Sequence, residues 1–201
     1  MKKLRFLLLL LPAFAFQAAP NATPPTRIAF RNPSFEDPHP RAAASPQGWE
    51  SRTPDSTPDI MPGAWNLHFA AYDGATCVGL VAREDGTSED IGQMLSQPLQ
   101  NGKCYTFSLY LSHGSRYVGY NQPCRLRVWG GGSAQGGKQE LLASSPLINH
   151  ADWREYRFQF VPSKEVRFIT FEVWYAPGVF VRYRGNILLD KCSMIENCDR
   201  A

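Results

Sequence analysis

The chain has 201 residues, of which 43% are hydrophobic and 12% aromatic, with 21 Lys+Arg against 18 Asp+Glu. Three of the bases and none of the acids precede Pro20, so the remainder carries equal numbers of each and no net charge. Without that excess, a nucleic acid or other polyanion lacks the electrostatic attraction on which such binding rests.

At the N-terminus, Lys2, Lys3 and Arg5 precede an apolar run over 6–11 that continues past Pro12 to Phe16, followed by Ala18 and Ala19. This is the layout of a secretory signal peptide, expected to span 1–19. The run is shorter than the roughly 20 residues needed to cross a bilayer, so no membrane span is expected. No Cys stands directly after it, so a bacterial lipid anchor is not expected. Residues 20–26 read as a disordered polar lead, and 27–198 as one domain with a proper core.

Within that domain, 38–62 is rich in Pro, Ser and Asp, with Trp49 as its large apolar anchor, and reads as a long loop. Strand patterns cover 28–30, 67–72, 76–82, 91–95, 104–112, 125–129, 153–161, 166–175 and 187–195, about nine strands separated by turn residues. Segment 139–144 suits a short helix or a strand. This is the signature of an all-β antiparallel sandwich. The acidic stretch 84–90 reads as a solvated hairpin turn, and the glycines between 130 and 137 as a hairpin connection without the Lys of a phosphate loop.

Alternation along each strand separates the two faces. Tyr105, Phe107, Leu109 and Leu111 point one way, as do Leu126 and Val128, then Tyr156, Phe158 and Phe160, then Ile169, Phe171 and Val173; these form the expected core. The opposite faces carry Tyr110, Arg127, Trp129, Arg157, Glu172 and Trp174, together with Trp153, Glu155 and Gln159. If these strands share one sheet, the set makes a sugar platform. Flat rings cover the C–H faces of pyranoses, and planar charged groups bond neighbouring hydroxyls. The loops offer a second surface, with Trp65, His68, Tyr72, Tyr117, Tyr120 and Tyr183.

Five cysteines follow the leader: Cys77, Cys104, Cys124, Cys192 and Cys198. In an oxidising compartment they form disulfides, and sequence alone leaves the connectivity open. An antiparallel neighbour of the strand that starts at Cys104 brings the end of the last strand beside it, so Cys104 with Cys198 is the expected pair. No Cys-x-x-Cys occurs and the four histidines are scattered, which argues against zinc.

No Gly-x-Ser-x-Gly or His-Glu-x-x-His is present. Glu155 and Glu172 suggest a glycosidase pair, but their Arg neighbours favour the ionised form and disfavour a general acid.

Two segments bracket the domain: Asn32-Pro33-Ser34-Phe35-Glu36 and Asn186-Ile187-Leu188-Leu189-Asp190. Between them lie Ala71-Tyr72-Asp73-Gly74, Val78-Gly79-Leu80-Val81, Ile91-Gly92-Gln93-Met94-Leu95 and Gly102-Lys103-Cys104-Tyr105-Thr106-Phe107, then Asp152-Trp153 with Tyr156-Arg157-Phe158. The succession resembles the galactose-binding-like jelly rolls, which include many non-catalytic carbohydrate-binding modules of exported bacterial proteins. The resemblance implies a jelly roll, a glycan partner and a structural calcium shared by Glu36 and Asp190. It also implies a place outside the cell or at its surface. A protein-binding adhesion or assembly domain uses the same fold. So do polysaccharide lyases, but the Gln-Ile-His or Gln-Val-His strand of their active face is absent here.

Overall fold

The computed structural model describes residues 27–198 apart from Arg52 and Gly137. The expected signal peptide and lead lie outside the described residues. Twelve strands occur among them: β1 (Arg27–Ile28), β2 (Asp59–Met61), β3 (Cys77–Ala82), β4 (Asp90–Leu99), β5 (Tyr105–Ser112), β6 (Gln122–Pro123), β7 (Arg125–Gly131), β8 (Glu140–Ser144), β9 (Arg154–Phe160), β10 (Val166–Trp174), β11 (Gly185–Asp190) and β12 (Ile195–Asn197).

They form two sheets. The larger runs β1-β12-β5-β11-β3-β2, with β9 on the free edge of β5 and β6 beside β11; the smaller runs β4-β10-β7-β8. Every pairing is antiparallel except the short one between β6 and β11. The fold is the expected antiparallel β-sandwich.

The inner faces meet as the alternation requires. Tyr105, Phe107, Leu109 and Leu111 of β5 pack with Leu126 and Val128 of β7 and with Ile169, Phe171 and Val173 of β10; Tyr156 is only partly buried against them. Trp49 is inserted from the long loop, its ring 4.8 Å from Phe35, 5.6 Å from Phe30 and 5.5 Å from Phe171. The one aromatic of an otherwise polar loop thus ties that loop to the core.

A second, smaller core lies on the outer face of the larger sheet. Met61, Ala64, Cys77, Val81, Tyr117 and Leu188 gather there, with Leu67, Phe69 and Ala71 packed against them. β3 is therefore buried on both faces, which explains why Cys77-Val78-Gly79-Leu80-Val81-Ala82 shows no alternation. Gly79 is required by this layer: a Cβ there would stand 2.3 Å from the Tyr117 hydroxyl.

Two expectations are corrected. Segment 67–72 pairs with no strand; it is an extended loop whose alternate apolar residues cover the second core. The run 187–195 is broken after Asp190 by Lys191, whose φ of 44° turns the chain out of β11 before β12 begins.

The disulfide joins Cys104 to Cys198, with Sγ–Sγ 2.01 Å and Cα–Cα 5.3 Å. It follows from the pairing of β12 with the start of β5, where Cys198 N–H donates to the Cys104 carbonyl at 3.1 Å. Cys77, Cys124 and Cys192 are buried thiols, and burial pushes all three up from the usual thiol range.

Candidate functional site

The six residues expected to form one platform are divided between the sheets. Arg127 and Trp129 of β7 lie beside Glu172 and Trp174 of β10 on the outer face of the smaller sheet. Tyr110 of β5 and Arg157 of β9 lie on the larger sheet, on the other side of the sandwich. Alternation correctly assigned each side chain to an outer face, but strand pairing between distant segments decides which sheet that face belongs to.

On the smaller sheet the polar groups are turned on one another. Glu172 is 5% exposed. Its Oε2 accepts from Trp129 Nε1 at 2.7 Å, and its Oε1 from Lys138 Nζ at 2.8 Å and Ser88 Oγ at 3.1 Å. Lys138 also reaches Asp90 Oδ2 at 2.6 Å and Thr53 Oγ1 at 2.9 Å. Burial works against the Lys138 charge, but its bonds to Asp90 and Glu172 outweigh this and raise its pKa. The Arg127 guanidinium stacks over Trp174, 3.9 Å from the ring centroid. This face is an interlocked cluster in which the Glu172 carboxylate, the Trp129 indole N–H and the Lys138 ammonium bond one another, while Arg127 Nε is buried without a hydrogen-bond partner among the described residues.

The larger sheet presents a groove. About 660 Å³ of space lies between the loop that carries His68 and Phe69 and the approach to β9 at Asp152 and Trp153, with Ser112, His113 and Leu188 on its floor and Arg116 at its edge. Its size falls in the range of ligand sites, and its walls combine apolar rings with a few polar groups. Trp153 is held by its indole N–H, which donates to the Ala70 carbonyl at 2.9 Å. The His113 ring is buried, which lowers its pKa, and its Nε2 has no hydrogen-bond partner among the described residues.

Beside the groove the same two strands carry a polar strip. Two residues along β5 from Ser112 is Tyr110, whose ring stacks on Tyr72 with centroids 3.5 Å apart. The hydrogen bond with the Tyr72 hydroxyl pushes Tyr110 up to about 12, so it is a neutral donor at ordinary pH. On β9, Glu155 lies opposite Tyr110 and Arg157 opposite Ser108, and Ser108 Oγ donates to Glu155 Oε1 at 2.6 Å. Arg157 is exposed, and its guanidinium has no partner among the described residues.

Of the loop residues singled out from the sequence, His68 lines the groove and Tyr72 lies beside it. Tyr117 is buried, its hydroxyl donating to Asp59 Oδ2 at 2.6 Å. Tyr183 is half-buried and donates to the Pro123 carbonyl at 2.9 Å. Trp65 and Tyr120 line a separate cavity. Sequence reasoning missed Phe69, His113 and Arg116, because a groove between a loop and a sheet leaves no local periodicity.

Glu36 and Asp190 act on one segment, 72–76, but through its amides. Glu36 accepts from Ala75 N–H at 3.0 and 3.1 Å and from Thr76 N–H at 3.2 Å. Asp190 Oδ2 accepts from Tyr72 N–H at 2.8 Å and Asp73 N–H at 3.0 Å, and Oδ1 from Lys191 N–H at 2.7 Å. Burial nevertheless pushes Asp190 up to about 7. Gly74, at φ 66°, leaves no room for a Cβ, which would stand 2.2 Å from Glu36 Oε1. Calcium takes six to eight oxygen ligands. Here amide hydrogens face the carboxylates, the Lys191 ammonium bonds Asp73 at 3.3 Å, and no three His, Cys, Asp or Glu side chains converge among the described residues. The donor set does not fit calcium.

No family model matches the chain, and no curated protein matches it. Solved structures do. The CBM22-1 xylan-binding domain from Paenibacillus barcinonensis Xyn10C is 13% identical over 84% of this chain and 93% of that one, with a TM-score of 0.51. The CBM22-1–CBM22-2 tandem of the same protein is 14% identical over 91% of this chain and 49% of the tandem, at 0.53. An arabinose-bound α-L-arabinofuranosidase is 14% identical over 85% of this chain, at 0.55, and the chain spans only 26% of that enzyme. At these identities the likeness is one of fold: the chain has the jelly-roll sandwich found in carbohydrate-binding modules, as its bracketing motifs suggested.

Proposed function

We propose that this is an exported, non-catalytic glycan-binding module, and that the glycan lies along the groove on the outer face of the larger sheet and over the adjoining strip of Tyr72, Tyr110, Glu155 and Arg157. The observation that carries the reading is the groove itself. It combines an anchored indole at Trp153 with an unengaged guanidinium at Arg116, and a second at Arg157 stands on the adjoining strip, the pairing of flat apolar and directional polar surface that a pyranose needs. Trp129 and Glu172 are bonded to each other and the Arg127 guanidinium is stacked on Trp174, so their role here is to hold the outer layer of the smaller sheet. The xylan-binding neighbour shares the frame, and a shared frame alone does not transfer a ligand.

Two features support the non-catalytic part. Glu155 and Glu172, the carboxylates that suggested a glycosidase pair, lie on opposite sides of the sandwich. Glu172 is engaged by Lys138 and Trp129. Export is supported by the leader pattern and by the disulfide, which persists in oxidising compartments. The reading is tested by a glycan array on the protein without its leader, with a reducing-sugar assay on every glycan that binds. Selective binding without product release is expected; turnover, or an array with no binder, contradicts it.

A further inference from the structure

A second cavity of about 340 Å³ shares no lining residue with the groove. Two buried carboxylates reach it, and both are satisfied by the protein. Asp59 Oδ1 accepts from Ala43 N–H at 2.9 Å, and Oδ2 from Trp65 Nε1 at 2.9 Å and the Tyr117 hydroxyl. Glu89 Oε2 accepts from Val81 N–H at 2.9 Å, and Oε1 from Thr57 Oγ1 at 2.9 Å and from Arg83.

What remains unengaged is rich in donors. The Arg184 guanidinium lies 4.2 Å from the centroid of the Tyr120 ring, and neither it nor the Tyr120 hydroxyl has a hydrogen-bond partner among the described residues. Stacking fixes the plane of the guanidinium and leaves its fork of N–H groups open, the arrangement that binds a planar carboxylate in a bidentate manner.

The cavity also has a flat apolar wall. Trp65 is 54% exposed, yet its N–H is pinned to Asp59, so the ring is both accessible and held. Its backbone is left-handed at φ 57°, and at another position on the lining Val118, a β-branched residue, is left-handed at φ 47°. Such conformations are costly for these residue types, persist only where the surroundings impose them, and cluster at ligand sites.

We infer that this cavity binds a saccharide unit bearing a carboxylate, a uronic acid, with the sugar ring against Trp65 and the carboxylate on Arg184. A neutral sugar would offer the guanidinium only uncharged hydroxyl acceptors in place of a matching carboxylate, and a bare anion would leave the indole uncovered. The site is independent of the groove, and either can fail without the other.

The test is a titration of the protein without its leader, followed by nuclear magnetic resonance of the indole N–H groups, using glucuronic and galacturonic acid, then glucose and galactose, then a sulfated galactose. The uronic acids should shift the Trp65 signal, while the neutral and sulfated sugars leave it in place. Arg184→Gln, at an exposed position, should weaken uronic acid binding about tenfold or more, the loss expected for a charge-assisted hydrogen bond. Trp65→Phe should weaken it less, and Trp153→Ala, in the groove, should leave it unchanged. No shift with either uronic acid, an equal response to neutral or sulfated sugars, or undiminished binding by Arg184→Gln overturns the assignment.

Discussion

Lys138 sits between two buried acids, Asp90 and Glu172, and removing it would leave both carboxylates facing each other in a largely dry layer. Breaking a buried ionic cluster by deleting one partner costs about 3 kcal/mol or more. Lys138→Met should therefore lower the unfolding free energy by about that amount, read from a denaturant melt, without affecting glycan binding. A second residue carries a pH signature. Burial pushes Glu89 up to about 7 from an ordinary value of 4.5. Its folded pKa lies above its unfolded one, so its contribution is full below pH 4.5 and is lost as pH rises through 7. The melting temperature should accordingly fall over that window, and Glu89→Gln should flatten the fall; a slope unchanged by the substitution contradicts the assignment. Neither role was legible in the sequence. Alternation gives the direction of Glu172, but the hairpin carrying Lys138 and the segment carrying Ser88 that bury it come from elsewhere in the chain.

Strands with one wet face were legible because period-two alternation records burial, as in β7 and β9. The pattern misled at 67–72, where Leu67, Phe69 and Ala71 alternate because they cover the second core, without any ladder of backbone bonds. The segment 72–76 that follows is held by Glu36 and Asp190 through amide hydrogens, which places Tyr72 on Tyr110. Chelators should leave the melting temperature unchanged, while Glu36→Ala should lower it with or without calcium, because the exposed Ala75 N–H and the part-buried Thr76 N–H lose their acceptor, at about 1 kcal/mol. A chelator-induced drop that calcium reverses contradicts the amide clamp. The Cys104–Cys198 bridge closes β5 to β12 across a separation of 94 residues. In the chain-entropy account a loop of that length contributes about 4–5 kcal/mol, so reduction should lower the denaturation midpoint by a corresponding amount.

At the scale of the whole molecule, a β-sandwich has two outer faces, and the same kinds of residue lie on both: Trp, Arg and Glu on the smaller sheet, Trp, Tyr, Arg and Glu on the larger. The sequence identified the residues and the fold but not the division between sheets, because that division depends on pairings such as β5 with β9 and β7 with β10. Mutual engagement of side chains separates the faces. On the smaller sheet Glu172, Trp129 and Arg127 engage one another, whereas the larger sheet keeps a groove with unengaged groups. The measurement that tests this most directly compares Trp153→Ala with Trp174→Ala in calorimetric titrations against a glycan identified on the array. Trp153→Ala should lose about 1–3 kcal/mol of binding, the range for a truncated anchor, and Trp174→Ala should bind as the unaltered protein does. Loss of binding in Trp174→Ala, with affinity retained in Trp153→Ala, would place the site on the smaller sheet and contradict the account.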